Sequence, residues 1–220
     1  MNLTVVIPSR TPPNLIACSA AVRRHEPEAR IVIVDDTPEL SLAPQADWMP
    51  AVTVEGVKPF IYARNCNLGI RAAGSDDVIL LNDDALLESM GGFTAMQRAA
   101  DLHPGYGVIG AVTNVTGQPL QRPQGIGLRE VPHIAFVCVL IPRRTIDRVG
   151  LLDERYCLDY GVEDLDYCET CRRAGLKVGV LDHCYVDHGS LSSSFRGDPH
   201  SSRTFARNKA LFDAKWGDAA

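Results

Sequence analysis

No stretch of the chain is apolar for long enough to cross a bilayer. The longest apolar run, Ile134 to Ile141, falls far short of the ~20 residues that a spanning helix needs. No basic leader followed by an apolar stretch and a cleavage site opens the sequence, and its seven cysteines follow no framework spacing. These absences set the expectation of a cytoplasmic protein whose contact with a membrane, if it has one, is peripheral. Excess positive charge is also missing. A net charge of −5 argues against a broad nucleic-acid surface and leaves room only for a local basic groove. Neither a Gly-x-Ser-x-Gly elbow nor a P-loop occurs, so serine hydrolysis and ordinary ATP use have no support. Cys168 and Cys171 have the spacing of a metal pair, but no second Cys or His pair follows at zinc-finger distance. On a helix that spacing puts two small side chains on one face, and core packing is the expectation.

What is present is a series of short, continuously apolar runs that end in polar residues. At 220 residues and 45% hydrophobic, the chain has enough material for one large domain spanning 1–220. Leu3 to Ile7 reads as a strand stopped by Pro8, followed by a polar loop from Ser9 to Pro13 and a helix from about Asn14. Ile31 to Val34 is a second strand, ending in Asp35 and Asp36. A surface connection from Thr37 to Pro50 leads to a short strand at Val52–Val54 and a helix at Ala63–Ala73. Val78 to Leu81 then delivers Asn82, Asp83 and Asp84 to a strand end. Runs with no polar alternation belong to sheets covered on both faces, and in open α/β sheets ligands bind at the carboxyl ends of the strands. Adjacent carboxylates at that edge suit a hard divalent cation, which prefers oxygen ligands, or else begin a solvated turn.

Val5-Val6-Ile7-Pro8-Ser9, Ile33-Val34-Asp35-Asp36, Ala63-Arg64-Asn65 with Gly69, Leu81-Asn82-Asp83-Asp84 and Gly161-Val162-Glu163-Asp164 follow one another in an order that resembles the family 2 glycosyltransferases of the GT-A fold. The similarity runs from about residue 3 to Gly217. It implies an α/β fold with a mostly parallel central sheet flanked by helices, a nucleotide-sugar donor, most commonly a UDP-sugar, and inversion at the anomeric carbon. Pro8, Ser9, Arg10 and Asn82 fall within the donor-binding motifs. By the same resemblance Asp36 holds the nucleobase, Arg64 lies beside base or diphosphate, Asp83 holds the ribose, and Asp84 ligates Mn²⁺ or Mg²⁺. Asp164 matches the general base that an inverting transfer needs on the acceptor side of the anomeric carbon. His188 before Gly189 matches a carboxy-terminal metal ligand, with His183 as its rival.

The second half adds a helix over Leu86–Leu102, a strand at Tyr106–Val112 and an aperiodic loop from Thr113 to Pro132. Gln124, Arg129 and His133 are the acceptor-side candidates there. A strand at Ile134–Ile141, a helix from Arg143 to Gly150 and a helix ending near Ala174–Gly175 follow. The acids of Leu151–Tyr156 are expected to pair with neighbouring arginines. A strand at Lys177–Val180 and Leu181 precedes a loop holding His188, a covering segment at Ser192–Asp198, and a closing helix that carries Arg203, Arg207, Asn208 and Lys209. Two other functions fit the same motifs: a nucleotidyltransferase, and a non-catalytic module that binds nucleotide or glycan. The acceptor stays open among glycan, lipid-linked sugar, protein, small molecule and modified nucleic-acid base.

Overall fold

The computed structural model of the chain describes residues 2–36, 51–125, 127–156, 161–192 and 201–217. The connection from Thr37 to Pro50, and all of the covering segment except Ser192, lie outside the described residues. The strands in order are β1 (Leu3–Ser9), β2 (Arg30–Asp35), β3 (Ala51–Glu55), β4 (Asp77–Leu81), β5 (Leu86–Leu87), β6 (Tyr106–Thr113), β7 (Leu128–Val131), β8 (Cys138–Ile141) and β9 (Lys177–Asp187). The helices are α1 (Pro12–His25), α2 (Tyr62–Ala73), α3 (Gly92–Leu102), α4 (Arg143–Val149), α5 (Glu163–Arg173) and α6 (Ser201–Trp216). Among the described residues no helix is long and apolar enough to cross a membrane.

Alternation along each strand divides the core in two. Val5 and Ile7 of β1, Ile31 and Ile33 of β2, and Ile79 and Leu81 of β4 face α1 and α3, where Leu15, Cys18, Phe93 and Met96 meet them. Val6, Val32, Val34, Val78 and Leu80 face α2 and α5, against Cys66, Ile70, Tyr167 and both Cys168 and Cys171. Helices therefore cover both faces, which is why these strands read as unbroken apolar runs.

The sheet runs β3-β2-β1-β4-β8-β6-β9-β5, with β7 also on β9. Its first four strands are all parallel, so Ser9, Asp35 and Glu55 and the residues after Leu81 share one edge. The rest is mixed: β8 runs against both β4 and β6, β5 and β7 run against β9, and β6 and β9 are parallel. The expected sheet was more uniformly parallel. Loops rather than crossover helices link β6, β7 and β8, and antiparallel neighbours need no crossover. Between β1 and β4 the strand order reverses, the place where α/β sheets open a binding crevice.

Several elements differ from the sequence reading. Pro8 does not end β1 but pairs with Val34, because the ladder to β4 has already stopped at Val6 and the missing N–H is not needed. Helix α1 starts at Pro12, not Asn14, since its first N–H groups have no helical partner anyway. Leu86 and Leu87 form a strand against Val186 and Asp187, and Gly91 at φ +66° separates them from α3. The loop after β6 contains a 3-10 turn at Pro119–Gln121 and β7. Ile134–Val137 is not strand, and β8 is the shorter Cys138–Ile141. In contrast, β9 continues through the residues read as a loop, up to Asp187.

All three arginines of α4 bond the C-terminal ends of other helices. Arg143 donates to Gly74 O after α2, Arg144 to Ala100 O in α3 at 2.8 Å, and Arg148 to Ala174 O after α5. Cations at these negative dipole ends join the helices at the edge away from the strand carboxyl ends.

Gly69 shows how closely α2 lies on the sheet: a Cβ there would stand 2.1 Å from Val6 Cγ1 and 3.1 Å from Val34 Cγ2. Gly69→Ala is expected to cost about 1–3 kcal/mol through overpacking, more than the ~1 kcal/mol of helix propensity that Ala returns. A melting temperature lowered by several degrees would confirm this close approach, and an unchanged or higher one would refute it.

Candidate active site

The two strands flanking the reversal place their end residues together. Ser9 closes β1 and donates from Oγ to Asp83 Oδ2 at 2.6 Å. Burial pushes the Asp83 carboxyl up to about 6; the Ser9 hydroxyl holds it down, while neighbouring Asp84 raises it. Asp84 is 5% exposed and directs Oδ1 at His188 Nε2, 3.1 Å away. His188 follows β9, and its Nδ1 lies 2.9 Å from the Val115 carbonyl. A carbonyl only accepts, so Nδ1 carries a hydrogen, and Nε2 faces Asp84 either as the second donor of an imidazolium or, in the neutral ring, with a lone pair. Two acceptors at that distance require a proton or a cation between them, and the carboxylate–imidazole pair suits a divalent metal. Among the described residues no group of three or more His, Cys, Asp or Glu side chains could hold a metal; Asp84 and His188 are the pair that meets here.

Asn114, just past β6, fixes this arrangement. Its Oδ1 accepts the His188 backbone N–H at 2.9 Å, and its Nδ2 donates to Asp187 Oδ1 at 2.6 Å. Asp187 also accepts the Gly189 N–H at 2.8 Å, which closes the turn around His188. His183, the rival ligand, is exposed on β9 and does not line the cavity. Asn114 was missed in the sequence because a lone Asn at a strand end has no periodic or spacing signal.

Opposite the strand ends, α5 begins with Glu163 and Asp164. Both are part-buried. Leu165 N–H donates to Asp164 Oδ1 at 2.7 Å, and the Phe136 backbone N–H also stabilises that carboxylate. Burial raises both acids above the usual carboxylate range; Asp164 raises Glu163 further, whereas backbone donors hold Asp164 down. The Glu163 carboxyl folds back over Gly161, where a Cβ would fall 1.4 Å from its Oε2.

A cavity of about 390 Å³ joins the two groups, and Pro8, Asn82, Asp83, Asp84, Asp164 and His188 all line it. Four expected site residues lie outside that lining. Ser9 touches it through Asp83, and Arg10 lies over the ring of Phe60, a lining residue, at 5.5 Å. Asp36 stands at the end of β2, 4% exposed, its Oδ1 buried without a hydrogen-bond partner among the described residues. Arg64 points to Glu154, Nε to Oε2 at 3.6 Å, a part-exposed pair on the outer side of α2.

The acceptor-side candidates have other roles. Gln124 donates its N–H to Asp182, which also pairs with Arg129 at 3.3 Å; Arg129 in turn donates to Leu120 O and Arg122 O, pinning the loop. His133 does not line the cavity either. From the segment after β6 it is Val115, Thr116, Gly117 and Gln118 that do. On the closing helix Asn208 is fully buried, while Phe205, not singled out by the sequence reading, reaches the cavity.

The ionised form of Asp83 costs stability. Its carboxyl titrates near 3.8 unfolded and near 6 folded, so its favourable contribution is present below pH 3.8 and is lost as the pH rises through about 6. Asp83→Asn removes that loss. The metal-free variant is expected to melt roughly 2–4 °C above the parent at pH 7.5 and level with it near pH 4. A variant that melts lower at pH 7.5 would contradict a buried, costly charge.

The arrangement of strands and helices is a GT-A fold. GalNAc-T7, solved with UDP, GalNAc and Mn²⁺, superposes with a TM-score of 0.79 at 14% identity, over 100% of this chain and 48% of its own. The mannosyltransferase PcManGT from Pyrobaculum calidifontis, in complex with GDP-Man and Mn²⁺, gives 0.74 at 15% identity, over 97% of this chain and 63% of its own. S. aureus TarS 1-349 with UDP-GlcNAc gives 0.69 at 14% identity, over 98% and 66%. The chain thus spans about half to two thirds of the length of these proteins, and at such identities the likeness is one of fold. No protein-family model matches the sequence, and no curated protein does.

Proposed function

We propose that the chain is a metal-dependent, inverting glycosyltransferase of the family 2 type, its residues 1–220 forming one GT-A domain. It would move a sugar from a nucleoside-diphosphate donor, a UDP-sugar in the first instance, to an acceptor hydroxyl. The observation that carries this reading is the shared cavity, lined by both the Asp84–His188 pair and Asp164. The similar structures solved with UDP, GDP-Man or UDP-GlcNAc, two of them with Mn²⁺, support it.

Asp84 and His188 would hold Mn²⁺ or Mg²⁺, whose chemistry here is to neutralise the leaving diphosphate. Asp83, kept in place by Ser9, offers an acceptor to a ribose hydroxyl, and the unpartnered Oδ1 of Asp36 offers one to a nucleobase N–H. Arg10, beside Phe60, brings positive charge toward the donor end. Arg64 would reach a nucleotide only by giving up Glu154. At the acceptor end Asp164 takes the hydroxyl proton as that oxygen bonds to the anomeric carbon and the bond to diphosphate breaks on the opposite face. Glu163, beside it, folds its carboxyl back over Gly161.

The test is turnover with UDP-sugars and simple glycoside acceptors in Mn²⁺, read by proton NMR at the anomeric position. Product of inverted configuration with release of UDP supports the proposal; retained configuration would exclude Asp164 as the base, and pyrophosphate release from UTP would indicate nucleotidyl transfer.

A further inference from the structure

Away from Asp84 and His188 the cavity wall changes character. Tyr62 from α2, Phe136 before β8, Leu165 on α5 and Phe205 on α6 form it. Tyr62 offers its ring and not its hydroxyl, which donates to Phe136 O at 3.0 Å. Phe205 remains 39% exposed and Val115, also in the lining, 38%. Apolar groups that keep this much exposure beside polar ones mark a surface that a ligand covers. Among them stand Glu163 and Asp164, of which Asp164, ionised as the base, only accepts hydrogen bonds. Among the described residues no Lys or Arg lines the cavity, whereas Asp83, Asp84, Glu163 and Asp164 all do. Asp83 and Asp84 belong to the donor and its metal, so the charge left at the acceptor end is that of Asp164, which must be ionised to act and has no lining cation beside it; an anionic group there is repelled.

An occupant that fits must show an apolar face to rings and hydroxyl donors to carboxylates, and must carry no negative charge. A sugar ring has this division: C–H groups on its face and O–H groups around its rim. We propose that the acceptor is an uncharged sugar ring, seated with one face on Phe205 and its attacking hydroxyl toward Asp164, and that phosphorylated or uronic acid acceptors are excluded by charge. The inference rests on the transferase reading, because it makes Asp164 the group that the acceptor hydroxyl meets. Transfer then needs no further reactant: the new bond joins the acceptor oxygen to the anomeric carbon, the diphosphate leaves with the electrons of the old one, and Asp164 receives the proton.

The test is saturation-transfer NMR on the full chain, with and without UDP and Mn²⁺. The probes are the methyl glycosides of glucose, galactose, mannose and N-acetylglucosamine, together with methyl glucuronide and glucose 6-phosphate. At least one neutral glycoside is expected to bind through its ring C–H groups, with the two acidic sugars weaker by more than about tenfold. Phe205→Ala should weaken the neutral glycoside roughly fivefold to tenfold and leave UDP–Mn²⁺ affinity unchanged, and Phe205→Trp should restore glycoside binding. Acidic sugars binding as well as neutral ones, indifference to Phe205→Ala, or no glycoside binding at all would overturn the proposal. Glycoside binding without any UDP–Mn²⁺ binding would count against the donor site and leave the acceptor class standing.

Discussion

Asp164→Asn is expected to lower the rate of sugar transfer by about 10²–10⁴-fold while nucleotide–Mn²⁺ binding stays within about twofold of the parent. Asn fills the same space and still accepts the Leu165 N–H that holds Asp164 in place, so the helix start survives. What it loses is proton affinity. The pH profile gives an independent reading: the base works only when ionised, and burial raises Asp164 above the ordinary range near 4. Transfer by the parent should therefore fall as the pH drops through a limb displaced upward from that of a free carboxyl. Glu163→Gln, next door, should keep most of the activity, because the Glu163 carboxyl folds back over Gly161. Full turnover by Asp164→Asn would remove that residue from the role; loss only in Glu163→Gln would exchange the two.

Asp84→Ala carries the second large effect. It removes one of the two expected protein ligands and leaves the His188 lone pair without a charged partner, so Mn²⁺-dependent nucleotide binding should disappear, with transfer reduced by at least about 10³-fold. His188→Ala should act in the same direction. Asn114→Ala separates positioning from ligation: it leaves both ligands but removes the bonds that hold His188 N–H and Asp187. Mn²⁺ affinity, measured by titration calorimetry, is expected to fall roughly 10–100-fold, the usual cost of losing an outer partner of a ligand. Unchanged Mn²⁺ affinity in Asp84→Ala would refute the assignment of the metal site.

The parallel half of the sheet could be read directly because Val5-Val6-Ile7, Ile31–Val34 and Val78–Leu81 are buried on both faces and carry no alternation to confuse the period. Where the chain leaves that regime the reading fails. Leu86-Leu87 looks helical beside α3 because two apolar residues fit either period, and only Gly91 in the left-handed region marks the break. The second half of β9 alternates Cys184 and Val186 inward with polar residues outward, a pattern that Asp182, His183 and Asp187 disguise as a loop.

In the site, the residues at strand ends and at the start of α5 converge on one cavity, since topology alone brings those ends together. Arg64 does not line it and pairs with Glu154 instead, and a long side chain's direction does not follow from its motif. Lys215 and Trp216 both donate to buried Asp166, at 2.8 and 2.7 Å, and so fasten α6 with its Phe205 to α5. Such a contact joins residues far apart in sequence and leaves no local trace in it.

The most direct measurement is a thermal-shift screen of the full chain against UDP, GDP, dTDP, CMP and UTP, each with Mn²⁺ and with EDTA. A ligand bound only by the folded state raises the melting temperature in proportion to its saturation. A shift with UDP that requires Mn²⁺ and is lost in Asp84→Ala is the predicted result, and a shift with another nucleoside diphosphate would change only the base. No metal-dependent shift with any nucleoside diphosphate would contradict the donor site and, with it, the proposed transfer.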